Sequence, residues 1–206
     1  KIDMPRKNRV VEPPQLAERR VIYRDERVRF PSFGRSYLAS TRTKRDGDAP
    51  ALTIAAQILS GTTGLLYQSL VVEQGLATSV GAYYSGNARD WGRFGIWMAA
   101  DGSKGIDPME QAMDSLLAEI VRDGFSEDDV ELAKNTIISA SIYERDNVAR
   151  LARRVGAGLA VGLNVQEITG WTDEINKVTL SDINSALKRV LNLQQSVTGL
   201  LLPATD

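Results

Sequence analysis

Four short runs hold residues whose types and spacing could do chemistry. Gly61-Thr62-Thr63-Gly64 precedes a helical pattern, where free N–H groups could hold a phosphate. It lacks the lysine of a P-loop and follows no strand, so it reads as a helix–helix turn that needs two glycines. Asp101-Gly102-Ser103-Lys104-Gly105-Ile106-Asp107 suggests a calcium loop, but it fails the ligand spacing and has no glutamate at the twelfth place. Glu127, Asp128, Asp129 and Glu131 stand at the start of a helical pattern, where carboxylates complement the helix dipole by about 0.3–1 kcal/mol each. That role is preferred to metal ligation. Tyr83-Tyr84, Trp91 and Trp97 lie on alternating segments and read as sheet packing. None of the four is a catalytic site.

Missing residues narrow the chemistry further. The 206-residue chain contains no histidine and no cysteine. Zinc sites normally use Cys or His, so no metal site is expected here. Ser-His-Asp and Cys-His nucleophilic constellations, imidazole bases and disulfides are excluded outright. The net charge of −1 gives no field that would gather nucleic acid or anionic lipid. No run approaches the 18 apolar residues of a membrane span, and Lys1-Ile2-Asp3-Met4-Pro5 has no apolar signal core. The compartment stays open on these grounds, with the periplasm slightly favoured over the cytoplasm.

The elements that must position any site alternate in type. Residues 1–17 carry Pro5, Pro13 and Pro14 without hydrophobic period and read as a linker, which leaves 18–206 as one domain. Arg19–Arg24 and Arg35–Ser40 alternate as strands on either side of a turn at Pro31. Ala51–Leu59 and Gly64–Val72 are apolar at helical spacing, and Thr78–Ser85 with Gly92–Ala100 reads as an antiparallel pair. Helix starts follow at Asp107-Pro108, with Asp107 as N-cap and Pro108 at N1, then at Ser126, Asn164 and Thr179, each with an acid three residues on. Met109, Ala112, Met113, Leu116, Leu117 and Ile120 share one face, where the methionines serve as core. Ser196–Leu202 closes the chain as a strand. The order ββαα-ββ-αααα-β predicts an α+β fold, a largely antiparallel sheet with helices packed on one face.

Charge is lopsided. Residues 1–45 hold 13 basic and 5 acidic side chains, and residues 46–206 hold 12 and 21. The arginines of the first segment alternate with Val21, Tyr23, Val28 and Phe30 and form no block, so they read as the wet face of a linker and two strands. The first residue is not methionine, and the sequence is expected to be a piece of a longer chain.

Over residues 9–203 the order and spacing of several short segments resemble the C-terminal domain of the pitrilysin/insulinase family of zinc metallopeptidases. The segments are Arg35-Ser36-Tyr37-Leu38-Ala39, the glycine turn into Leu66-Tyr67-Gln68-Ser69-Leu70, and Gly75-Leu76-Ala77. Glu131-Leu132-Ala133-Lys134-Asn135, Tyr143-Glu144-Arg145-Asp146, Trp171 through Val178-Thr179, and Val197-Thr198-Gly199-Leu200-Leu201-Leu202-Pro203 complete the series. The resemblance implies a parent of two similar α+β domains closing around an unfolded peptide. Its N-terminal domain would carry H-x-x-E-H and hold zinc, with the motif Glu activating the bound water. Substrate would add as a strand to a sheet edge in that zinc-bearing part. This chain would hold neither zinc nor a catalytic residue, and would shape the cavity and support the catalytic domain.

One departure matters. Many family members carry an Arg and, seven residues later, a Tyr that reach the substrate carbonyl from across the cavity. Val71 and Thr78 occupy those positions here, so the pair is absent and valine can donate nothing. Either the chain belongs to a zinc-bearing subunit whose partner supplies the pair, or it comes from a scaffold or inactive processing-peptidase-like subunit. The first is preferred, since an inactive partner kept to donate the pair would have retained it. A free-standing interaction module is the third possibility.

Overall fold

Segments distant in sequence meet in one five-stranded sheet. The computed structural model describes residues 13, 15–44, 46–100, 105–144 and 146–204. The strands are β1 (Arg19–Asp25), β2 (Ser32–Ala39), β3 (Ala77–Ser85), β4 (Gly92–Ala100) and β5 (Ser196–Pro203), in the spatial order β1-β5-β2-β4-β3. The fold is α+β. The β3–β4, β4–β2 and β2–β5 pairs are antiparallel, and only β1–β5 is parallel. The two N-terminal strands therefore do not pair with each other, because the last strand inserts between them.

Alternation sets the two faces. Phe33, Tyr37 and Ala39 of β2, Phe94, Ile96 and Met98 of β4, and Leu200 and Leu202 of β5 are buried in a single core against the helices. Helix α1 (Asp48–Leu59) lies deepest, with Leu52, Ile54, Ala55 and Leu59 almost wholly buried. Helix α3 (Asp107–Asp123) buries Met109, Met113, Leu117 and Ile120, and Ala112 and Leu116 lean on the same core. The α3 start differs from expectation by one residue. Asp107 is already helical, Ile106 takes the cap position, and no side chain caps the helix.

After α1 the chain turns through Gly61-Thr62-Thr63-Gly64 into α2 (Leu65–Tyr67), which continues as a π-helical turn over Gln68–Glu73. Both glycines are required there. Gly61 has φ +83°, and a Cβ on Gly64 would stand 2.2 Å from the Ser60 carbonyl oxygen.

The second half holds α4 (Glu127–Glu144), α5 (Val148–Val161), α6 (Val165–Thr169), α7 (Trp171–Lys177) and α8 (Leu180–Val190), so the expected four-helix stretch contains six helices with α3. Asn164–Glu167 and Thr179–Asp182 form capping boxes, and the Ser126 hydroxyl accepts from Asp129 N–H while donating to its carboxylate. The helices missed from sequence are α5 and α7, and of these α5 also starts at a side-chain cap, with Asn147 accepting from Arg150 N–H.

The wet-face reading holds for the exposed Arg19, Arg24, Arg27 and Arg29 and is corrected at Arg35 and Arg20. Arg35 is 2% exposed and faces the helices. Arg20 turns the same way, donating two bonds of 2.7 Å to Glu110 on α3. On β1 it is the apolar Val21 and Tyr23 that stand exposed on the opposite face. Carboxylates on α3 reverse the assignment, because a buried guanidinium needs a charged partner.

The linker reading over 1–17 and the Asp101–Asp107 loop lie largely outside the described residues. Of the first, Pro13 and Gln15–Ala17 are described, and Gln15 Nε2 donates to the Ser196 carbonyl at 2.7 Å.

Candidate functional site on the uncovered face of the sheet

Among the described residues, the helices cover one face of the sheet and the other stands open. Strand register brings Val21, Gly199, Gly34, Trp97 and Gly81 into one rung across all five strands of that face. The rung before it carries Arg19, Val197, Ser36, Gly95 and Tyr83. Val21, Tyr23, Val197, Leu201, Trp97 and Tyr83 are all exposed large apolar side chains here. Monomers rarely expose an apolar area this broad unless something docks on it.

Glycines give the face its relief. A Cβ on Gly81 would stand 2.9 Å from the Trp97 indole nitrogen, and one on Gly95 would stand 2.3 Å from the Tyr83 ring. The two aromatic rings therefore lie over glycines on the neighbouring strand, an arrangement that restores packing lost with the side chains. Gly34 is bare, with nothing within 4 Å of where its Cβ would be, and at Gly199 the nearest atom is the Gly34 oxygen at 3.9 Å. A groove of about 500 Å³ results over β5 and β2, with Gly34, Gly199 and Ser36 among its lining and Arg19 and Arg93 at its sides.

The positions singled out from sequence fall elsewhere. Val71 is in the π-helical turn, partly buried against the core. Thr78 is the extra residue of a β-bulge at the start of β3, where the register shifts between Ala77 and Ser79. Its hydroxyl donates to the Ala99 carbonyl at 3.2 Å. Neither supplies a free donor. Tyr84 faces the helices, donates to the Ser40 carbonyl at 2.7 Å, and burial pushes its phenol well above the usual range.

A metal does not fit. No histidine or cysteine exists to ligate one, and among the described residues no group of three or more carboxylates is placed to do so. Asp129 of the acidic cluster is spent on the Ser126 cap. Among the described residues, no helix is long and apolar enough to cross a membrane.

Residues 3–137 match the family model described as the peptidase M16 inactive domain. The chain belongs to this family. No curated protein matches the sequence. Among solved structures, a protease from Helicobacter pylori superposes with a TM-score of 0.88 at 17% identity, covering 98% of this chain and 48% of that one. The inactive peptidase domain from Bordetella parapertussis gives 0.75 at 20% identity, covering 85% and 94%. The periplasmic protease PqqL from Escherichia coli gives 0.67 at 15% identity, covering 92% and 21%. At these identities the likeness is one of fold. The M16 inactive domain described here spans about half the length of the Helicobacter protease.

The bare-glycine groove was not read from the sequence. Its signal was there in Gly34 and Gly199, each interior to an alternating strand, since glycine in such a place marks close approach by another group.

Proposed function

We propose that this M16 inactive domain is the C-terminal, metal-free half of a zinc endopeptidase subunit. In this reading residues 1–17 lead in from a catalytic N-terminal domain, and residues 18–206 use their uncovered sheet face as one wall of a peptide-holding cavity. The observation that carries the reading is the open face itself. A sheet normally buries both faces or keeps one polar, and this one presents apolar side chains and bare glycines to whatever completes the enclosure. The length of the Helicobacter protease, about twice this chain, supports a second domain of similar size in the parent.

Zinc and its ligands would lie in that other half, since this chain's residues do not fit the ion. Val71 and Thr78 would stand where relatives carry an Arg/Tyr pair, and a second family subunit would supply those donors. The packing of Val71 and the bonded hydroxyl of Thr78 support a half that contributes none. The periplasmic PqqL neighbour supports the periplasm as the compartment.

The test is metal analysis of the polypeptide encoded by the whole reading frame. An H-x-x-E-H motif upstream and about one zinc per chain are expected. Absence of both motif and zinc overturns the enzyme reading and leaves a scaffold or inactive subunit of the same fold.

A further inference from the structure

The groove over Gly34 and Gly199 has a chemistry of its own. Arg19 on β1 and Arg93 on β4 flank it, and among the described residues neither side chain makes an ion pair or hydrogen bond. Most other arginines nearby are spent. Arg20 and Arg35 hold Glu110, and Arg27 holds Asp25. Among the described residues, no carboxylate lines the groove. The two free cations stand three strands apart, about 14 Å at ~4.8 Å per strand, with small side chains between them. A guanidinium that faces a concave site with no internal counter-ion is poised for a carboxylate, which it can take through two parallel bonds.

We propose that this groove holds an extended peptide segment bearing a carboxylate, its backbone lying over Gly34 and Gly199 and its acid reaching Arg19 or Arg93. The proposal rests on the peptide-wall reading and adds a substrate preference to it. Shape and charge argue together. Two adjacent missing side chains let a backbone approach the sheet closely, and Trp97 leans toward Gly81 and leaves the space over Gly34 open. Val21 on β1 stands opposite Gly199 in the same rung. The carboxylate could belong to an acidic side chain or to a peptide C-terminus, which present the same group.

Calorimetric titration of the 206-residue chain with three peptides of equal length tests this. One has two central glutamates and blocked ends, one has glutamines and a free C-terminal carboxylate, and one has glutamines and blocked ends. At least one carboxylate peptide should bind about tenfold tighter than the neutral one, and which does so identifies the source of the acid. Arg19→Ala together with Arg93→Ala should erase that preference, while Gly34→Val, whose side chain enters open space, should block every peptide without loss of folding. Equal binding of all three, still blocked by Gly34→Val, overturns the acid preference and leaves the peptide wall standing. A preference that survives both arginine substitutions also overturns it. Binding of no peptide by the unaltered chain overturns both readings together.

Discussion

Arg35 Nη2 donates to Glu110 Oε1 at 2.8 Å, fastening the central strand β2 to helix α3 beneath the groove. Arg20 holds both oxygens of the same carboxylate from the edge strand β1. Arg35 completes its shell with Asp114 and with Thr198 Oγ1 at 3.0 Å. One glutamate thus ties two non-adjacent strands to the helix layer. Glu110→Ala strands a buried guanidinium with Asp114 as its remaining carboxylate, and should cost about 3 kcal/mol in urea unfolding at neutral pH.

The same carboxylate predicts a pH dependence. Hydrogen bonds from Arg20 hold the Glu110 carboxyl below its ordinary value of 4.5, against the opposing effect of burial. A group whose folded pKa is depressed stabilises the fold fully above its unfolded pKa, and loses that contribution as pH falls through the folded one. Urea midpoints should therefore drop as pH falls below about 4.5. Glu110→Gln should flatten that drop while lowering the midpoint at pH 7. An equally steep drop in the variant would assign the acid sensitivity to other carboxylates.

The four glycines of the open face should respond in opposite ways. Gly95→Ala drives a Cβ to 2.3 Å from the Tyr83 ring, which must swing off the sheet and give up its packing. A loss of about 1 kcal/mol is expected. Gly34→Ala meets nothing within 4 Å and removes unfolded-chain freedom, so it should be neutral or stabilising by up to about 1 kcal/mol. Thermal melts of the two variants side by side read the contrast, and equal losses would refute the ring-over-glycine arrangement.

How much of this was legible depended on how local the determining physics was. The β3–β4 pair and the boxes at Asn164 and Thr179 could be read because turn and cap chemistry sits within a few residues. Insertion of β5 between β1 and β2 could not, since it is decided by pairing of segments some 180 residues apart, as in Arg19 with Val197. Helix α5 escaped although Val148, Leu151, Val155 and Leu159 fall at helical spacing after Asn147, and in the structure that stripe stays largely uncovered, with Gly158 as the one buried residue. Arg35 was assigned to water because alternation alone cannot reveal that Glu110 and Asp114 wait below the strand. The groove lay hidden for a related reason. A bare glycine and one covered by an aromatic ring look identical in sequence, and since register sets both Gly34 and Gly81 opposite Trp97, only the lean of that ring tells them apart.

The turn into α2 offers a sharper steric test. A Cβ on Gly64 would meet the Ser60 carbonyl oxygen at 2.2 Å and the Ser60 carbon at 2.6 Å, both backbone atoms that cannot step aside. Gly64→Ala must open the turn and shift Leu66 and Leu70, which are fully buried. A loss of about 2 kcal/mol or more is expected, measured as a lowered urea midpoint with unchanged slope.

An apolar face that waits for a partner should betray itself in solution. Val21 and Tyr23 are each 60% exposed, and Leu201 stands on the strand beside them on the same face. The isolated chain should bind an apolar-surface dye and self-associate with rising concentration in sedimentation runs. Replacing Tyr23 and Leu201 by serine should weaken both signals, since each removes apolar area from one contiguous patch. Adding the N-terminal half of the parent should suppress self-association of the unaltered chain, because that half then closes the enclosure this face lines. A strict monomer that binds no dye would count against the peptide-wall reading and in favour of a self-sufficient interaction module.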